Sequence, residues 1–201
     1  VAARRQGRLR CPTCAPRPDE EWLYPALVIA RARAEEAGGR AELLLSTPAT
    51  RTAWVGAHAG IAALGTLVLL AAGGLTTGLA VSAGSGGETA PVPALAATLL
   101  QVPAAWVLGG LTLLVLGVVP RATAAVAWAG FLFVQLFELV GPIAGIDFRI
   151  VEWIIPYFHL PRILTGDPLT PWPLIALAAV TAILGMAGIT ALRRRDLAPT
   201  T

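Results

Sequence analysis

The sequence predicts an all-α, polytopic membrane protein with four transmembrane helices, a charged cytoplasmic helix before them and a short helix on the extracellular surface. Three observations carry this reading. First, 56% of the 201 residues are hydrophobic and only 13% are charged, against roughly 45–50% and about 25% in soluble domains. Mean hydropathy is +0.70. Second, the charges are excluded from long stretches: 52–87 and 89–120 contain none, 122–146 contains only Glu138, and 168–192 contains none. Third, many of the 21 Gly and 16 Pro lie within the apolar runs, as they do in membrane helices. A soluble globule, a disordered chain and a basic nucleic-acid-binding domain are all excluded by this composition, and nucleic acid is not an expected partner. The net charge is only +3, and all 15 basic residues are Arg.

The N-terminal arm, residues 1–30, opens Arg- and Pro-rich, with no apolar core in its first 18 residues of the kind a secretory signal carries. Cys11 and Cys14 form one CxxC pair. A tetrahedral zinc site needs two more ligands and a redox motif needs a βαβ setting, so the pair reads as coincidental. Residues 22–30, WLYPALVIA, are apolar but too short to span. They read as an interfacial segment or as the stub of a longer helix.

Residues 31–53 are a cytoplasmic segment. RARAEEAGGRAELLL is helical in character, with Glu36 and Arg40 at the favourable i,i+4 spacing. Pro48 disfavours helix at Thr47. The adjacent Leu43, Leu44 and Leu45 favour a docking surface over a merely solvated helix, because exposed apolar side chains on a cytosolic segment call for a cover.

The transmembrane domain, 54–192, contains spans near 54–83, 93–118, 122–144 and 172–192. A span needs about 20 residues to cross a ~30 Å hydrocarbon core. The first two runs are longer, so kinks are expected, at Gly73-Gly74 and at Pro103. Thirteen Arg fall on one side of this arrangement, and only Arg149 and Arg162 on the other. The positive-inside rule makes the first side cytoplasmic, with both termini and the 193–201 tail there. Most Trp fall near span ends, facing lipid headgroups. Gly56-xxx-Gly60, Gly74-xxx-Gly78 and Gly141-xxx-Gly145 are expected helix-packing sites.

Glu138 is the one carboxylate inside a span. An intramembrane acid is costly and marks a candidate transport path or gate; Gln101 and Gln135 are the neutral polar companions, suited to interhelical hydrogen bonds. Between the third and fourth spans, Val151, Ile154, Ile155 and Phe158 make an apolar stripe. Arg149 and Glu152 can pair there, and Pro156 and Pro161 bracket His159. A surface or re-entrant helix near 147–160 is expected. No His, Cys or carboxylate set has metal-ligand spacing, and no GxxxxGK[ST] phosphate loop is present. Hence no catalytic residue, metal or bound cofactor is expected, and the chain does not read as an enzyme.

Three strings, in order, resemble one family: EEAGGRAELLLSTPATRTAW (35–54), PYFHLPRILTGDPLTPWPL (156–174) and ITALRRRDL (189–197). They are similar to type-2 ABC exporter permeases, in particular the actinobacterial polyketide and antibiotic exporters, tetronasin-resistance-like systems among them. The resemblance covers about 31–197 and corresponds to the C-terminal portion of such a permease. It implies a membrane component of an ATP-driven exporter of small hydrophobic compounds or antibiotics, with ATP bound and hydrolysed on a separate ABC ATPase subunit. Coupling to that subunit would run through Glu35, Glu36, Arg40, Glu42, Leu43, Leu44, Leu45 and Arg51. The extracellular helix and loop would cap the path. Permeases of this superfamily have six spans per half, against four here. WLYPALVIA would then be the tail of a missing helix, and a second permease chain or a missing permease segment would complete the pathway beside membrane lipid. A non-transporting structural or assembly subunit, or a truncated permease fragment, is the alternative class.

Overall fold

A computed structural model describes residues 23–38, 50–84, 91–144 and 170–196. Its elements are helices α1 (Tyr24–Ala37), α2 (Arg51–Gly84), α3 (Val92–Leu99), α4 (Val102–Val118), α5 (Thr123–Ala144) and α6 (Pro171–Asp196), with one 3-10 turn at Pro120–Ala122. Among the described residues, three stretches are long and apolar enough to cross a membrane: Thr52–Gly84, Val92–Val118 and Pro171–Arg194. The segment read as the third span forms the 22-residue α5, about 33 Å at 1.5 Å per residue.

α2 starts where Thr50 accepts the Ala53 backbone N–H on its hydroxyl at 3.2 Å, the bond of an N-cap. It then runs for 34 residues without a break. The expected kink at Gly73-Gly74 is therefore absent as an interruption. Gly74 serves a different end: a Cβ there would collide with the Thr98 hydroxyl and lie 3.0 Å from Leu95 Cα, and at Gly78 it would lie 2.7 Å from the Pro91 carbonyl oxygen. The two glycines let α3 lie antiparallel on α2. The second span does break. Leu100 and Gln101 separate α3 from α4, just ahead of Pro103, whose ring and missing N–H disrupt the helical ladder.

α4 and α6 make the most extensive helix contact, running side by side in the same direction. A Cβ on Gly110 would stand 3.2 Å from Leu184 Cβ and from the Thr181 carbonyl. At Gly188 it would meet the Leu113 carbonyl oxygen at 2.6 Å, and at Gly117 it would meet the Gly188 carbonyl oxygen and Ala191 Cβ. Backbones touch here, which only glycine permits. Gly56 and Gly60, expected to be packing residues, have nothing within 4 Å. The Gly141 and Gly145 pair lies outside the described side chains.

α1 decides between the two readings of WLYPALVIA, an interfacial segment or the stub of a longer helix. One helix, Tyr24–Ala37, runs through residue 30, and its apolar half lies at the centre of the bundle. Pro25, Ala26, Ile29 and Ala32 are buried. Leu23 and Ala26 pack with Ala105, Leu108, Ala127 and Val134; Ile29 and Ala32 pack with Val55, Leu113, Leu116 and Leu192. Close approach again depends on glycine. The Tyr24 ring lies directly on Gly65, and Pro25 Cβ lies 3.0 Å from a Cβ on Gly109.

The buried polar residues among those described are Thr66, Thr98, Thr112 and Thr123. Each hydroxyl bonds a carbonyl three or four residues back, at 2.7–2.9 Å, as Thr66 does to Ala62 and Thr112 to Leu108. No water is needed to satisfy them. Apolar side chains face outward along three helices: Leu64 and Val68 on α2, Leu136 on α5, and Ile183 and Met186 on α6 are all exposed. A bundle with that exterior is a multi-pass membrane protein.

Gly188→Ala should therefore cost about 1–3 kcal/mol, the usual scale of overpacking, because the obstructing atom is a carbonyl oxygen that cannot rotate away. Gly56→Ala should be neutral within about 0.5 kcal/mol or slightly stabilising. Thermal unfolding of the two variants in detergent micelles checks the contrast.

Candidate functional site

Two features stand out: a cleft inside the bundle and a polar junction at one of its ends.

The cleft holds about 320 Å³. α1 and α4 form its floor through Pro25, Ile29, Gly109 and Leu113, and α2 and α6 form its walls through Ala62, Ala63, Gly185 and Met186. It exists because α2 and α6 both pack against the floor yet scarcely touch each other. Its lining is apolar apart from Thr181 and Trp106. The Thr181 hydroxyl is already bonded to the Leu177 carbonyl at 3.0 Å, so the cleft offers volume and apolar contact. Its size falls at the lower end of the range for small-molecule sites. Trp106 departs from the expectation of an interfacial Trp. It lies within the second span, lines the cleft, and its indole Nε1 is buried without a hydrogen-bond partner.

The polar junction joins the last turns of α1 to the first turns of α2. Arg31 reaches Glu35 at 3.3 Å and Arg33 reaches Glu36 at 3.2 Å, both within α1. Glu35 also meets His58 Nε2 of α2 at 3.4 Å. His58 is oriented from two further sides: Nδ1 lies 3.1 Å from the Trp54 carbonyl oxygen, and the Trp54 ring packs edge-on at 5.0 Å. The C-terminal ends of α1, α4 and α6 and the start of α2 all lie at this end of the bundle, since Ala32, Leu116, Leu192 and Val55 share one core. Arg31, Arg121, Arg193 and Arg194, exposed, gather there too.

Of the expected coupling residues, Glu35 and Glu36 lie in this junction, largely shielded rather than free on a surface. Arg51 is the first residue of α2, its side chain outside the described set. Arg40, Glu42, Leu43, Leu44 and Leu45 lie outside the described residues. Among the path residues, Gln101 stands at the α3–α4 break with Oε1 buried and unpartnered, so it does not make the interhelical bond expected of it. Gln135 is half-buried on α5, and Glu138 is on the same helix with its side chain outside the described set. Arg149, Glu152, Pro156, His159 and Pro161, and likewise Cys11 and Cys14, lie outside the described residues. Among the described residues there is no group of three His, Cys, Asp or Glu that could hold a metal.

Sequence reasoning missed His58 as a structural partner of Glu35. The available signal was Trp54-xxx-His58, an i,i+4 aromatic pair at the mouth of the first span. It also missed the cleft, whose lining of Ala, Gly and Ile looks like any other apolar helix face.

Comparison with known proteins follows the same boundaries. The family model described as "Multidrug efflux system permease Rv1217c, C-terminal domain" matches residues 22–193. The chain is 36% identical over 169 residues to the multidrug efflux system permease protein Rv1217c of Mycobacterium tuberculosis, a match covering 83% of this chain. It spans 30% of that relative's length.

Gly185 gives a direct probe of the cleft. A Cβ there would meet only Leu113 Cδ2, at 3.9 Å, so a larger side chain has room to extend into the cavity. Gly185→Leu should keep or raise stability, since leucine gains up to about 1 kcal/mol of helix propensity over glycine. It should also lower binding of a lipophilic dye to the reconstituted protein, read by fluorescence titration.

Proposed function

This chain belongs to the family of the Rv1217c C-terminal permease domain, and from that membership we propose that it is the membrane component of an ATP-driven ABC exporter of small hydrophobic compounds. The match of residues 22–193 to a multidrug efflux permease domain is the observation that carries the proposal. A separate ATPase subunit binds and hydrolyses ATP. This chain converts the movement of that subunit into a change in the helix bundle, and it performs no covalent chemistry itself. A further permease segment supplies the remaining crossings, and α5 is the third of this chain's four. The bundle sits in the bacterial plasma membrane with its charged end, and both ends of the chain, on the cytoplasmic side.

The geometry favours this reading over a passive membrane subunit. Residues 31–53 leave the charged end of α1 and return at the start of α2. The ATPase docks on this segment through Glu35, Glu36, Arg40, Glu42, the Leu43–Leu45 triplet and Arg51. α1 continues from there into the centre of the bundle, where Pro25, Ala26 and Ile29 are buried. A displacement at the docking segment is thus delivered to α4 and to the cleft, since Gly109 packs on Pro25 and both line it. The cleft is the contact site for the hydrophobic compound. Gln101, Gln135 and Glu138 border the path, and the segment with Arg149, Glu152, Pro156, His159 and Pro161 caps it on the outer side.

Replacing Leu43, Leu44 and Leu45 together by Asp should abolish co-purification with the partner ATPase and its stimulation by substrate, while the permease still reaches the membrane. Undiminished association and stimulation would remove the docking role.

A further inference from the structure

Glu35 and His58 make a side-chain contact that passes from α1 to α2, carboxylate to imidazole at 3.4 Å; the Arg31 and Arg33 pairs stay within α1. Its surroundings make it more than a surface contact. The side chains are only 15% exposed at His58 and 23% at Glu35, so solvent screens them less than an open pair. The imidazole is fixed on three sides, by Glu35 at Nε2, by the Trp54 carbonyl at Nδ1 and by the Trp54 ring edge. Both nitrogens face acceptor oxygens, and the tautomer that carries Nε2–H donates to the carboxylate.

The position of the pair matters as much as its chemistry. α1 and α2 run antiparallel, and residues 38–50 connect them at the charged end. They form the two legs of a hairpin, and Glu35 and His58 stand where the legs meet. Deeper in the bundle the legs are held by apolar packing, Ile29 and Ala32 with Val55 and Ala62 and the Tyr24 ring on Gly65; at the charged end Glu35–His58 adds a polar link. Without the polar link, a load on the connecting segment can splay the legs instead of moving them together.

We propose that His58 is a positioning residue for coupling: it clamps Glu35 and thereby makes the end of α1 and the start of α2 move as one body. This rests on the proposal that an ATPase docks on residues 31–53. His58 touches neither substrate nor nucleotide.

The test uses the complete permease with its ATPase in proteoliposomes, reading substrate exported per ATP hydrolysed. His58→Phe keeps an aromatic ring beside Trp54 and removes both donors. It should lower the export-to-hydrolysis ratio at least ~5-fold, the lower end of usual coupling between sites, with ATPase association intact. His58→Gln places an amide N–H near the position of Nε2 and should stay within about twofold of wild type. Glu35→Ala removes a proposed docking carboxylate together with the clamp and should lose at least as much, and the double variant should lose no more than Glu35→Ala alone, as expected of partners in one interaction. Wild-type coupling in His58→Phe, equal loss in His58→Gln, or multiplicative losses in the double variant would each overturn the clamp. Should His58→Phe fail to reach the membrane, His58→Leu takes its place beside His58→Gln: loss in the first with retention in the second supports the clamp, and any other pattern refutes it. If the wild-type permease neither binds nor stimulates an ATPase, the functional proposal fails instead, whatever these variants do.

Discussion

The structure depends on backbone-to-backbone approach at glycine. Within lipid there is no hydrophobic gain in pressing two apolar helices together, because the tails they displace are equally apolar. Close packing and its dispersion contacts must supply the attraction, and they require helices to come nearer than side chains ordinarily allow. Gly110, Gly117 and Gly188 provide this between α4 and α6 and Gly74 and Gly78 for α3, while Gly65 and Gly109 make room for the Tyr24 and Pro25 side chains of α1. Each glycine costs up to about 1 kcal/mol of helix propensity relative to alanine. The cost is incurred where a neighbour's carbonyl or ring occupies the space of the missing Cβ. The same packing leaves the cleft, since helices fastened tightly to a shared floor are held apart from each other.

Function follows from which helix lies in the middle. α1 is short, half apolar and half charged. Its apolar half is buried against α4, and its charged half projects toward the end where Arg121, Arg193 and Arg194 gather. Under the proposed function it is the element best placed to carry a mechanical signal from the ATPase to the transmembrane core. The ion pair at its charged end and the glycine contacts at its apolar end make the two halves complementary: one grips the neighbouring leg of the hairpin, the other grips the bundle.

Much of this was legible in the sequence. The charge-free runs located the long helices, because a charged side chain within hydrocarbon is too costly to be scattered there at random. The break before Pro103 and the gathering of basic residues at one end were also legible. The place of α1 was not, since nine apolar residues look like an interfacial segment whether or not a bundle surrounds them. Nor could spacing alone sort the glycines. Gly74 and Gly78 pack while Gly56 and Gly60, at the same spacing, face open space. Gly110 and Gly117, seven residues apart, carry the largest contact although no short motif marks them. Which glycines matter is decided by the helix opposite, information that lies elsewhere in the chain.

The central claim is that α1 is embedded in the bundle against α4. Introducing cysteines as Pro25→Cys and Gly109→Cys, in a background lacking Cys11 and Cys14, tests it most directly. A Cβ on Gly109 would lie 3.0 Å from Pro25 Cβ, close to the ~3.5–4.5 Å of a disulfide. Oxidation in native membranes should join the two residues, so that fragments cut between α1 and α4 stay linked until reduced. Two thiols that remain free and fully reactive toward a membrane-permeant maleimide after oxidation would contradict the account.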